Sequence, residues 1–160
     1  DGLESRGLGD VYKRQVQAQK IANVPSEKVK TNELTGRVRV AFAEYEASAE
    51  QSTISMFSIP NGARLLSGSV AYDALGSSTT ISVGYAAHTK SDGTTEAADV
   101  DQYKAAAAST SAQSVAVLDT IALDKNAVTD ADKDGVPVTV TLAGANGTGT
   151  IQLQMLYVID

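Results

Sequence analysis

Two runs of strict alternation near the C-terminus constrain the fold most. Val136, Val138, Val140 and Leu142 alternate with Pro137, Thr139 and Thr141. After Gly144-Ala145-Asn146-Gly147, a second run places Ile151, Leu153, Met155, Tyr157 and Ile159 at every second position. Thr150, Gln152 and Gln154 lie between them. Successive side chains point to opposite faces of a strand, so each run has an apolar face that must be covered. The Asn-Gly pair between them is a hairpin signal. Leu156 and Val158 make the last strand apolar on both faces, which predicts cover from two sides at its end.

The same period recurs upstream. In residues 36–45, Val38, Val40 and Phe42 share one face and Arg37 and Arg39 the other, the pattern of a half-buried strand. Glu44 falls in phase with Phe42, so that strand is expected to end or bulge there. Residues 53–59 form a second strand, closed by Pro60-Asn61-Gly62. Residues 64–72 and 79–85 form a third and a fourth, with Ile81, Val83 and Tyr85 on one face of the latter. Residues 96–108 read as a helix, with Thr95 as N-cap, an alanine run at 105–108, and Val100, Tyr103 and Ala107 as a narrow apolar stripe. Residues 115–118 and 121–123 are short strands, followed by a polar loop to Gly135. About eight strands with turn signals roughly every 8–12 residues predict an all-β fold, a jelly-roll-like antiparallel β-sandwich with one short helix.

A length of 160 residues fits one domain with a sizeable core. The first fifteen residues stand apart. Asp10-Val11-Tyr12-Lys13-Arg14-Gln15 resembles the in-frame translation of a sequencing adapter, as found at the ends of proteins read from environmental DNA. Residues 1–15 are therefore set aside as non-native, with the native N-terminus expected to have been cut off before Val16. Residues 16–33 read as an extended arm and 34–160 as the β-sandwich domain.

Composition narrows the function. The net charge is −6, with 19 acids against 13 bases, which argues against tracking a phosphate backbone and suits a basic or neutral partner. The absence of cysteine excludes disulfides and thiolate metal sites. No run approaches the roughly 20 apolar residues of a membrane helix. No basic region followed by an apolar stretch opens the chain.

Asp130-Ala131-Asp132-Lys133-Asp134-Gly135 is the sharpest local motif. Carboxylates at Asp130, Asp132 and Asp134, then a turn glycine, present the hard oxygen ligands that calcium takes. An EF-hand is rejected: its twelfth position is Thr141, within a strand, and Pro137 opposes a following helix. The loop reads as a solvated acidic turn, with a β-loop calcium site as the alternative. His88, the single histidine, has no cysteine or second histidine to pair with and reads as a surface residue. No G-x-S-x-G elbow occurs, Asp99 and Asp101 would point to different faces of the expected helix, and the glycines of 144–149 precede a strand rather than a helix. No enzymatic constellation is present, and no cofactor is expected.

Three blocks carry a family resemblance. They are Leu34-Thr35-Gly36-Arg37-Val38-Arg39; Ile59-Pro60-Asn61-Gly62-Ala63-Arg64-Leu65-Leu66 with Asp73-Ala74-Leu75-Gly76 and Thr80-Ile81-Ser82-Val83-Gly84; and Ala143 to Ile151 with Tyr157-Val158-Ile159-Asp160. Between them lies Asp99-Val100-Asp101-Gln102-Tyr103-Lys104. In this order the chain resembles the capsid decoration, or cement, proteins of tailed bacteriophages. The resemblance covers residues 34–160. It implies a jelly-roll domain without catalysis, made in the bacterial host cytoplasm, that binds the outside of the virion and stabilises it. The implied partners are the major capsid protein and further copies of the chain, as a trimer. No capsid-contacting residue carries over. The alternative is a carbohydrate-binding or adhesion module, which would need exposed tyrosines from among Tyr45, Tyr72, Tyr85, Tyr103 and Tyr157.

Overall fold

The structure, a computed structural model, describes residues 36–159. The adapter-like residues 1–15 and the arm at 16–33 lie outside the described residues, as do Leu34, Thr35 and Asp160. In chain order the elements are β1 (Arg37–Glu50), β2 (Thr53–Ile59), β3 (Arg64–Tyr72), β4 (Thr80–Tyr85), β5 (His88–Thr89), β6 (Thr95–Glu96), β7 (Asp99–Ala108), β8 (Gln113–Val117), a 3-10 turn (Ile121–Leu123), β9 (Val136–Ala143) and β10 (Gly147–Ile159).

The strands form two four-stranded sheets, β1-β10-β3-β8 and β2-β9-β4-β7, with β5 and β6 pairing separately. All pairings are antiparallel. The first half of the chain, β1 to β4, pairs in reverse order with the second half: β1 with β10, β2 with β9, β3 with β8, β4 with β7. This is a long ribbon folded over on itself, the jelly-roll arrangement that the strand count predicts.

The two alternating C-terminal runs do not form a hairpin. β9 lies in one sheet and β10 in the other, so the Asn146-Gly147 loop crosses between layers. Side by side in one sheet, the two apolar stripes would still need a cover. Placed in opposite layers they cover each other. Val138, Val140 and Leu142 of β9 and Ile151, Leu153 and Met155 of β10 are all buried, together with Leu65, Val70, Ile81, Val83 and Val117. Each such side chain contributes about 1.5–3 kcal/mol on burial.

The helix expected at 96–108 is absent: residues 99–108 are the edge strand β7. The alanine run supplies a preference of at most about 0.7 kcal/mol per residue, a weak prior. Against it stand the pairing of β7 with β4 (Thr80 with Ala108, Ile81 with Ala107, Val83 with Lys104, Tyr85 with Asp99) and the burial of Tyr103. Gly84 marks the contact. A Cβ there would overlap the Asp99 carbonyl oxygen and lie 2.5 Å from the Val100 carbonyl carbon. The strand expected at 121–123 is the 3-10 turn, which leaves Ile121 exposed.

β1 continues through Glu44 to Glu50, and its polarity is the reverse of the expected one. Ala41, Ala43, Tyr45 and Ala47 face inward, paired with Met155, Leu153, Ile151 and Gly149. Val38, Val40 and Phe42 therefore point outward, in register with Val158, Leu156 and Gln154.

Candidate functional site

β1, β3, β7 and β9 begin, and β2, β4 and β10 end, at one end of the sandwich, so the loops at 60–63, 86–98 and 118–135 cluster there. Residues of the latter two loops, with Leu65, Tyr85, Tyr103 and Val136 from the strands, line an open cavity of about 130 Å³. Tyr85, at the end of β4, meets His88 edge-on at 5.3 Å between ring centroids and Tyr103 at 5.8 Å. The His88 Nδ1 lies 3.1 Å from the Ala86 carbonyl, so Nδ1 carries the proton it donates. Lys90 pairs with Glu96 and closes the β5–β6 hairpin, and the Glu96 carboxylate holds the Lys90 ammonium above its ordinary range. Burial pushes the Tyr103 hydroxyl well above the usual phenol range, with Asp124 adding to it. Burial also raises Tyr85, followed by the charges of Glu96 and Asp99. Both phenols stay neutral at physiological pH, and no base is poised to activate either. The cavity walls mix apolar and polar side chains, and no nucleophile–base pair stands among the lining residues.

The three loop aspartates do not converge. Asp130 accepts from the Ser91 N–H at 3.1 Å and the Ser91 hydroxyl at 2.5 Å, which hold its carboxyl below the ordinary range. Asp132 accepts from the Asp134 N–H at 2.9 Å, and Asp134 accepts from Lys133 Nζ at 2.8 Å. Among the described residues, no three His, Cys, Asp or Glu side chains are placed to hold a metal ion. The carboxylates instead fasten the loop: Asp130 ties it to the β5–β6 hairpin, as does the Asp132 N–H, which donates to the Thr89 carbonyl at 2.8 Å.

A second surface has a different chemistry. Val38, Val40 and Phe42 are 62%, 60% and 58% exposed on the outer face of β1. Half-buried Leu156 and Val158 of β10 continue the patch by register. Arg64 of β3 stands opposite Val158, and its guanidinium donates to the Asn126 carbonyl at 3.1 Å. An exposed aliphatic and aromatic stripe of this kind has the composition of an interface core, where charged residues are depleted. Period alone puts the three residues on one face. Which face is inside follows from the small residues opposite them, Ala41, Ala43 and Ala47, which suit a strand pressed against a neighbouring layer.

No model of a known protein family matches the chain, and no curated protein matches it. Solved structures do. A chain from the capsid of Ralstonia phage GP4 superposes with a TM-score of 0.60 at 18% identity, over 84% of this chain and 92% of its own. A chain from the cyanophage Pam1 capsid asymmetric unit superposes with a TM-score of 0.57 at 15% identity, over 86% of this chain and 97% of its own. At these identities the likeness is one of fold, and the fold is that of chains found in two phage capsids.

Proposed function

We propose that this chain is a non-enzymatic virion structural protein that binds the outside of a phage capsid and stabilises it, with the major capsid protein as partner and with further copies of itself in a trimer. The carrying observation is the outward apolar stripe of Val38, Val40 and Phe42 on a sandwich whose interior is already filled. A folded domain gains nothing for its own stability by exposing this stripe, whereas an assembling one covers it. The likeness of fold to chains of two phage capsids supports the same reading. The adhesion alternative lacks its platform. Tyr72 and Tyr103 are buried, Tyr85 and Tyr157 are half-buried, and half-buried Tyr45 donates to Glu50 at 2.8 Å.

The test is to mix the purified chain with undecorated capsids of the source phage. Co-sedimentation and a rise in capsid melting temperature are the expected result. No binding and no rise would overturn the reading.

A further inference from the structure

The cavity at the loop end holds one group that the fold leaves unsatisfied. Tyr103 is 2% exposed, a depth at which a hydroxyl needs a partner. It makes no hydrogen bond among the described residues. Nor is the hydroxyl sealed off. Among the described residues, only Thr139 Oγ1 is a buried side-chain oxygen or nitrogen with neither partner nor access. The Tyr103 hydroxyl is therefore accessible, and it opens into the cavity that Tyr103 lines. A molecule entering that cavity meets it.

The walls select the class of molecule. Three acids, Glu96, Asp124 and Asp130, stand against one base, Lys90, among the lining residues. The ion pairs among the described residues are Lys90–Glu96 and Lys133–Asp134, so Asp124 has no cationic partner there. Asp130 accepts from Ser91 and keeps its charge. The charge of Asp124 reaches both Tyr85 and Tyr103. His88 donates from Nδ1 to the Ala86 carbonyl, which leaves Nε2 as an acceptor. The site is thus rich in acceptors and short of positive charge, which favours a cation that donates hydrogen bonds. The rings of Tyr85 and Tyr103, 5.8 Å apart and tilted by 58°, favour a cation over an anion as well. Leu65, Val128 and Val136 complete the lining and suit an aliphatic stem. A volume of about 130 Å³ takes the end of one side chain, well short of the roughly 300–1,000 Å³ of a pocket for a drug-sized ligand.

We infer that the cavity binds a primary alkylammonium group, the ammonium bonded to the Tyr103 hydroxyl and neutralised by Asp124, and the stem against Leu65, Val128 and Val136. An ammonium brings three donors and no acceptor, which matches a phenol oxygen, a carboxylate and the free imidazole nitrogen. A lysine side chain of a partner protein presents this group, and so does a free diamine. The site goes beyond the capsid reading and does not rest on it.

The experiment follows the ring proton resonances of His88, the single histidine of the chain, while the full chain is titrated. The probes are Nα-acetyl-lysine methylamide, its norleucine counterpart as the uncharged analogue, and putrescine. The capped lysine is expected to shift the resonances saturably, with a dissociation constant on the order of millimolar, and the norleucine counterpart to leave them in place. Tyr103→Phe keeps the ring in the core and removes only the unpartnered hydroxyl. It is expected to weaken binding about tenfold while the melting temperature stays the same or rises. Asp124→Asn is expected to weaken binding by about the same factor. Asparagine tolerates the left-handed backbone of that position, φ 58°, so the turn is kept. No saturable shift with either amine, an equal response to the norleucine counterpart, or undiminished binding in either variant would overturn the site. Tighter binding of the capped lysine than of putrescine assigns the site to a protein side chain, and the reverse order assigns it to a free amine. No capsid enters the titration, so its failure and the failure of the capsid reading are told apart.

Discussion

Replacing Gly84 with alanine is expected to destabilise the fold by about 3 kcal/mol. The new Cβ would overlap the Asp99 carbonyl oxygen and approach the Val100 carbonyl carbon to 2.5 Å and the Asp101 nitrogen to 2.8 Å. All three are backbone atoms, so no side chain can turn aside, and β7 must shift off β4. Overpacking of this kind costs about 1–3 kcal/mol. The shift also weakens the 2.9 Å hydrogen bond from the Ser82 hydroxyl to the Val100 carbonyl, about 1 kcal/mol more, and loosens the packing of buried Tyr103. Gly62→Ala is the control. Nothing lies within 4 Å of its Cβ, so only the left-handed backbone at φ 76° is penalised, by about 1–2 kcal/mol. Urea denaturation reads both as shifts in midpoint at unchanged slope. A Gly84→Ala protein as stable as the wild type would refute the close approach of β7. A helix at 96–108 would not require that approach.

Leu153→Ala, fully buried, is expected to lose about 2–5 kcal/mol, whereas Val40→Ala, 60% exposed, should stay within about 0.5 kcal/mol for the unassembled chain; comparable losses by thermal melting would put β1 the other way round. Glu50 is held below its usual 4.5, first by the Tyr45 hydroxyl and then by Ser52 and the Ser48 N–H. Its folded pKa is depressed, so its contribution is present above the unfolded value and is lost as pH falls through the folded one. An acid titration of stability should be shallower in Glu50→Gln, and an unchanged slope would remove Glu50 from the account. Calcium added to chelated protein should raise the melting temperature no more than a matched sodium control does, and a large rise abolished by Asp132→Ala would establish a calcium site at Asp130, Asp132 and Asp134.

Period-two alternation was sufficient for β4, β9 and β10, because each has one apolar face set against a polar or small one. It failed where the two faces do not differ in that sense. In β7, the alanines at 105–108 carry helix preference and little burial, and the deciding partner is Gly84, some twenty residues away in sequence. At 144–147 the Asn-Gly signal marked a tight connection correctly. Whether such a connection turns within a layer or crosses between layers depends on what covers the two apolar stripes, a property of the whole sandwich. The cavity residues were visible only singly: Tyr85, His88 and Tyr103 come together through the pairing of β4 with β7, which no local motif encodes.

β1 departs from the pattern for another reason. Hydrophobicity assigned Val38, Val40 and Phe42 to the interior, and register assigns them to the surface, because Ala41, Ala43 and Ala47 share a face with Tyr45 and oppose the buried half of β10. Turning the strand over would bury the valines and Phe42 but would also drive Glu44 and Glu46 into the core, at several kcal/mol for each unpaired charge. The glutamates thus fix the orientation of the strand, and the apolar residues are carried outward with them. In a chain that only had to fold, Val38, Val40 and Phe42 could be polar at no cost to the core. Local rules tend to be broken at sites where something other than folding is being satisfied. Here the broken rule falls on an edge strand, with Leu156 and Val158 of the neighbouring strand continuing the apolar face.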